Sequence, residues 1–174
     1  MLITYALGDK GNIGYSNYIG DDTPAAADSI SHLRIHNNLF FNYQFGKLKM
    51  QVGGDYCMQK NSDIVTGKKT ASMYSGVLSF KYQLKEKFAL YTRGEIFNDP
   101  EGFMSVVFID KTGLATGYKL WGATLGAEFK PTDNSYIRLE GRQLEMDSNQ
   151  EIFRWNGENE DSRMEILLNM GISF

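Results

Sequence analysis

The chain is poor in the residues that build several common kinds of protein. It has 174 residues with a single cysteine, Cys57, and three prolines. One cysteine excludes an internal disulfide and a cysteine-rich metal site. No apolar run approaches the roughly 18–20 residues of a membrane helix, which excludes helical spanning but not a barrel, whose strands need only alternate residues apolar. Basic excess is also missing. The net charge of −3 and pI near 5.4 leave no electrostatic footprint for nucleic acid. The first residues, Met1-Leu2-Ile3-Thr4, lack the basic and apolar regions of a secretory signal. Helical periodicity is nearly absent. Chemical motifs are missing too: there is no Gly-x-Ser-x-Gly elbow, and no glycine loop precedes a Lys-Ser/Thr, so neither nucleophilic catalysis nor nucleotide binding is signalled. The expectation is a protein that is not an enzyme and carries no cofactor.

What the chain has instead is alternation. Residues 164–174 place Met164, Ile166, Leu168, Met170, Ile172 and Phe174 on one side of a strand and mostly polar residues on the other. The same period of two recurs upstream. Leu48, Met50, Val52 and Tyr56 oppose Lys49, Gln51, Asp55 and Cys57; Trp121, Ala123, Leu125, Ala127 and Phe129 oppose Gly122, Thr124, Gly126 and Glu128. Nine strands are predicted, at about 2–7, 12–20, 31–45, 47–59, 71–84, 87–98, 117–130, 134–146 and 164–174. Ten tyrosines, eleven phenylalanines and eighteen glycines suit strands. The connections alternate as well. Short links near residues 8–11, 45–47, 84–87 and 130–134 take turns with long polar loops at 21–31, 60–70, 98–116 and 147–163. An up-and-down meander puts these at opposite ends, which is the trimmed and elaborated pattern of outer-membrane barrels.

A soluble barrel with its apolar face inward shows the same alternation. Three features favour the membrane form. Charges recur at mid-strand on one face only, several strands run about 12–14 residues, beyond the ~5–6 common in globular sheets, and aromatics gather near strand ends. Tyr43, Phe45, Tyr82, Phe88, Phe129 and Tyr136 lie by the short turns, and Tyr74 and Trp121 toward the long loops, as interfacial girdles do. The predicted fold is an all-β, antiparallel up-and-down transmembrane β-barrel forming one domain over residues 1–174.

Two stretches carry a family resemblance. One runs from Tyr82 through Arg93-Gly-Glu95-Ile-Phe-Asn98-Asp99. The other is Gly126-Ala-Glu128-Phe-Lys130-Pro131-Thr-Asp133-Asn134-Ser-Tyr-Ile-Arg138-Leu-Glu140-Gly-Arg142. Both resemble the OmpL-like putative β-barrel porins of Bacteroidetes-type outer membranes, closely over residues 82–174 and more faintly before. The resemblance implies an outer-membrane pore with mostly unassigned substrates, and makes Phe174 the terminal signal recognised by the barrel-assembly machinery. With Phe174 at the periplasmic end, nine alternating strands place Met1 at the other end. Single-chain bacterial barrels have even strand numbers, so the chain is expected to be the C-terminal part of a larger barrel. If residues 1–10 are not a membrane strand, eight strands remain, enough for a filled barrel.

The charged face supplies the candidate lumen-lining residues: Arg93, Glu95, Glu128, Arg138, Glu140 and Arg142, with Lys49, Asp55 and Lys81. Such rows either bias the passage of ions or stiffen the wall through satisfied pairs. His32 and His36 on one strand lie about 13 Å apart, too far to share a metal ion. The outer loops lean acidic, with Asp21, Asp22, Asp28, Asp99, Glu101, Glu151, Glu158, Glu160 and Asp161; they either hold cations, repel anions or are simply solvated. The apolar loop stretch 103–109 is expected to fold inward, pack on a neighbour or form a hairpin. The leading function is passive diffusion of small solutes through a polar lumen. The alternatives are a plugged barrel acting as a structural or adhesive element through its loops, and a soluble ligand-binding barrel. The partners expected are outer-membrane lipid, the assembly machinery and small solutes, with oligomerisation open and nucleic acid excluded.

Overall fold

The computed structural model describes residues 1–21 and 30–173. Phe174, Asp22 and Asp28 lie outside the described residues. In chain order the strands are β1 (Leu2–Ala6), β2 (Gly11–Asp21), β3 (Leu33–Phe45), β4 (Leu48–Gln59), β5 (Ala71–Lys85), β6 (Phe88–Asn98), β7 (Phe108–Ile109), β8 (Ala115–Thr116), β9 (Lys119–Phe129), β10 (Ser135–Met146), β11 (Phe153–Trp155), β12 (Glu158–Glu160) and β13 (Ser162–Ile172). Nine of them form one antiparallel sheet in the order β1-β2-β3-β4-β5-β6-β9-β10-β13, and the other four make two small hairpins inside the loops. The sheet is therefore an up-and-down meander in which every strand pairs with its predecessor and successor. β1 and β13 are its two edges.

The expected strands are all present, with ends moved by a few residues. Leu2–Ala6 is a true ladder strand, running from Leu2 opposite Ser16 to Ala6 opposite Asn12. Of the apolar stretch 103–109, Phe108–Ile109 pairs with Ala115–Thr116 as a short hairpin, and the Phe108 ring packs on Tyr118 at 5.5 Å. The connection between β3 and β4 has two central residues, and Gly46 takes φ 57° at the first of them. That conformation suits a primed hairpin turn and matches the right-handed twist of the strands. Between β5 and β6 the register slips at Gln83/Lys85. The Gln83 amide closes this bulge by donating to the carbonyls of Lys85 at 2.7 Å and Glu86 at 3.2 Å.

Burial separates the two faces and settles which is inside. The apolar face is exposed: Leu125 is 68% and Leu168 62% accessible, with Leu39, Val52, Leu78, Leu90 and Leu139 also open. The polar face is covered over much of its extent, with Cys57 at 0% and Glu128 at 1%, while Lys49 and Gln51 near the short turns stay exposed. This is the reverse of a soluble barrel, whose apolar face lies inside. A broad exposed apolar band needs an apolar solvent, and lipid provides it. Tyr43 and Phe45 at the short-turn end, 4.5 Å apart, and Tyr56, Tyr74 and Trp121 at the long-loop end sit on this outer face. Tyr136 does not join them. It shares the parity of Arg138, lies on the inner face, and its ring underlies the Arg138 guanidinium at 4.3 Å. The sequence position near a turn marks the strand end, but parity decides the face.

The sheet is strongly rolled. Lys10, ahead of β2, and Glu140, on β10, line one cavity although six strand-to-strand steps separate β2 from β10. Glycine contributes to the inner wall in a specific way. Gly126 stands opposite Tyr91, and a Cβ on it would come within 2.3 Å of the ring. Gly14 under Phe40 and Gly171 under Tyr136 repeat the arrangement. At these positions glycine makes room for an aromatic ring lying across the neighbouring strand. Gly126→Ala should therefore cost about 1–3 kcal/mol by displacing Tyr91. Gly141→Ala, where nothing lies within 4 Å, should be close to neutral. Denaturant unfolding of both variants in detergent micelles checks the contrast.

Candidate functional site: the charged inner wall

Register determines which inner residues meet. Glu128 of β9 lies directly opposite Arg138 of β10 and opposite Ala89 of β6. Ala89 is too short to fill the space above it. Lys81 of β5 crosses that space, and its Nζ donates to Glu128 Oε1 at 2.5 Å while Arg138 Nε donates to Oε2 at 2.7 Å. A buried carboxylate is held here by two cations, the arrangement that offsets the cost of removing its charge from water.

A second cluster lies nearer the long loops. Arg142 of β10 donates through Nη2 and, at 3.0 Å, through Nε to Glu95 Oε1. Arg93 Nε stands 3.4 Å from the other oxygen of Glu95. Arg142 also lies 3.8 Å from Glu165, which pairs with Arg163 at 3.0 Å. Further round the wall Asp55 accepts from Asn38 at 2.9 Å and Ser75 at 2.9 Å, and lies 3.0 Å from His36. Of the expected residues, Lys81, Glu128 and Arg138 come together, as do Arg93, Glu95 and Arg142. Asp55 stands apart in its own set. Glu140 has a contact with Asn169 at 3.5 Å, and Lys49 stands opposite Lys81. Sequence reasoning missed Glu165, Arg163 and Lys10. The first two share the inner parity of β13, a signal hidden because that strand was described by its apolar face.

His32 and His36 diverge. His32 precedes β3 and its Nδ1 meets Ser62 at 3.2 Å, while His36 sits within the strand beside Asp55. Cys57 is buried directly opposite His36.

The cavity between these groups and the short turns measures about 450 Å³. Lys10, Lys49, Lys81, Arg93 and Arg138 line it with Glu128, Glu140, Asn42 and Gln51. A concave, polar, charge-lined surface inside an apolar-skinned sheet is the architecture of a water-filled β-barrel pore. A family model described as putative beta-barrel porin-2, OmpL-like, matches residues 1–174. The chain belongs to this family. Membership in the OmpL-like porins brings with it, in general terms, porin function and an outer-membrane setting, in a family that is typically non-enzymatic. Comparison with curated proteins and with solved structures returned no match.

At the far end of this OmpL-like sheet the long loops are knitted together. The buried Gln150 donates to the Gly117 carbonyl at 2.7 Å and accepts from Lys119 N–H at 2.9 Å. Asp99 Oδ2 accepts from the N–H groups of Met104 at 2.9 Å and Ser105 at 2.7 Å, and Glu101 from that of Ile64 at 2.7 Å. These loop acids thus spend oxygens on backbone donors. Asp63 does the same. The Lys69 N–H, with those of Thr66 and Lys68 and the Thr66 hydroxyl, pulls its carboxyl well below the ordinary range. Asp110 is lowered likewise, first by the Thr112 hydroxyl.

Two outcomes follow. Glu128→Gln should lower stability by about 2 kcal/mol, since it leaves Lys81 and Arg138 half-buried without a counter-charge. Glu140→Gln should stay within about 0.5 kcal/mol of the parent, and urea titrations of reconstituted protein separate the two. Asp63 favours the folded loop above the ordinary carboxylate range, and this is lost as pH falls through its lowered pKa. At neutral pH, Asp63→Asn should accordingly speed trypsin cleavage after Lys68 and Lys69, read by gel.

Proposed function

We propose that this chain forms the wall of an outer-membrane pore through which small hydrophilic solutes diffuse passively. The observation that carries the proposal is the division of the sheet. The exposed apolar face suits lipid, and the covered polar face encloses a charge-lined cavity. Diffusion needs no chemistry from the wall, only water, a polar lining and charges that bias what enters. The Glu128 and Glu95 clusters hold long cationic side chains against the wall and so keep the passage defined. In this reading the short turns face the periplasm, the long loops face outward, and lipid surrounds the apolar band. In the same reading the barrel-assembly machinery inserts the sheet into the membrane.

A second reading draws on the knitted loops. Gln150 and Asp99 bind the 98–118 and 147–150 segments into one body, as a capped structural or adhesive barrel requires. Replacing Arg138 and Arg142 together with Ala discriminates. A pore changes its ion selectivity, whereas a capped barrel only loses stability. The primary test is conductance of the refolded full chain in planar bilayers together with liposome swelling in small sugars. Steps of current and swelling are expected. A chain shown to be folded and inserted that passes neither ions nor sugars overturns the pore.

A further inference from the structure

Lys49 and Lys81 are directly cross-strand neighbours on the inner wall. Like charges in that position destabilise a sheet, so this pair is a poor choice for stability alone. Lys81 is turned away toward Glu128, two strands off. Lys49 is exposed on the inner face and, among the described residues, enters no ion pair. Lys10, in the short 3-10 turn Gly8–Lys10, is likewise exposed and without an ion-pair partner among them. Both border the cavity that Lys81, Arg93 and Arg138 also line.

The charge balance there is lopsided. Five cations line it with two carboxylates, Glu128 and Glu140; Glu128 is taken by Lys81 and Arg138, and Arg93 pairs with Glu95 beyond the cavity, which leaves Lys10 and Lys49 against Glu140. The whole chain carries −3, so this local excess runs against its composition. It is also confined along the lumen. The neighbouring cavity of about 550 Å³ nearer the long loops is lined by Asp55, Glu95 and Arg142, and the loops beyond are acidic.

We propose that the cavity at the short-turn end is an anion site, with Lys10 and Lys49 as its free cations, and that it makes the passage selective for small oxyanions bearing carboxylate or phosphate groups. The mechanism is electrostatic. Two uncompensated ammonium groups across a walled, low-dielectric space raise the local concentration of anions and lower that of cations. Lysine suits the task, since its mobile ammonium meets a passing oxyanion without the fixed grip of a bidentate arginine. The proposal rests on the pore reading for its transport consequence but not for binding, and the two are tested separately.

The full chain is reconstituted in neutral phosphatidylcholine bilayers, which removes anionic headgroups as a competing source of the charge. Under a tenfold KCl gradient the reversal potential should show chloride favoured over potassium by at least about twofold. Lys10→Gln combined with Lys49→Gln should bring that ratio to one or below. Lys47→Gln combined with Lys85→Gln, an equal charge change at the same end of the sheet but outside the cavity, should leave it near the parent value. Cation preference in the parent, or an unchanged ratio in the first double variant, overturns the proposal. Absence of current would defeat the pore and leave binding to decide. Citrate and inorganic phosphate should raise the unfolding midpoint of the parent in detergent, and more so than that of the Lys10/Lys49 variant. Equal shifts, or none, overturn the anion site as well.

Discussion

Everything in this protein depends on a backbone that cannot leave its N–H and C=O groups unpaired in hydrocarbon. In lipid, water is not there to satisfy them, and only helices and closed barrels solve the problem. Among the described residues no helix is long and apolar enough to span, and the family is one of β-barrels, so the crossing falls to the sheet. The long antiparallel ladders from β2 to β13 follow from that constraint. So does the inversion of faces, because the sheet must show its apolar residues to the surroundings and turn its polar ones inward. The charged cavity is then a consequence of rolling a two-faced sheet with its greasy side out.

Inversion creates the second constraint. Charges gathered on a concave wall crowd one another and lose water. Where they are most enclosed they are paired: Glu128 at 1% exposure has Lys81 and Arg138, and Glu95 has Arg142 and Arg93. Where the wall opens toward the short turns, Lys10 and Lys49 are exposed to the interior space. Pairing thus stabilises the wall, and Lys10 and Lys49 are left over as the cations of the proposed anion site. Small residues make this geometry reachable. Ala89 leaves the gap that Lys81 crosses, and Gly126 leaves the gap that Tyr91 covers.

Much of this was legible in the residues. Period two identified all nine strands and grouped the charges on one face of the sheet, since parity along a strand is strict. The stretches around Arg93-Gly-Glu95 and Lys130-Pro131-Thr-Asp133-Asn134 pointed to the family that the whole-chain match establishes. Loops were less legible. The apolar stretch 103–109 has no periodicity of its own, and only packing on Tyr118 and pairing with Ala115–Thr116 shaped it. Tyr136 lies by a short turn yet faces inward beside Arg138, because parity and not nearness to a turn sets the face.

The sequence by itself determined the strands, their direction of alternation and the presence of one charged and one apolar face. All of these are set within a few residues along the chain. Which charges meet was decided by tertiary structure. Lys81 and Glu128 are 47 positions apart, as are Glu95 and Arg142. Their contact depends on inter-strand register and on the roll of the sheet, neither of which is local. Alternation says that a residue faces inward, and only the folded sheet says whether a partner is waiting there. For Lys49 the inward face brought a second lysine opposite, where the geometry of Glu128 brought two cations to one acid.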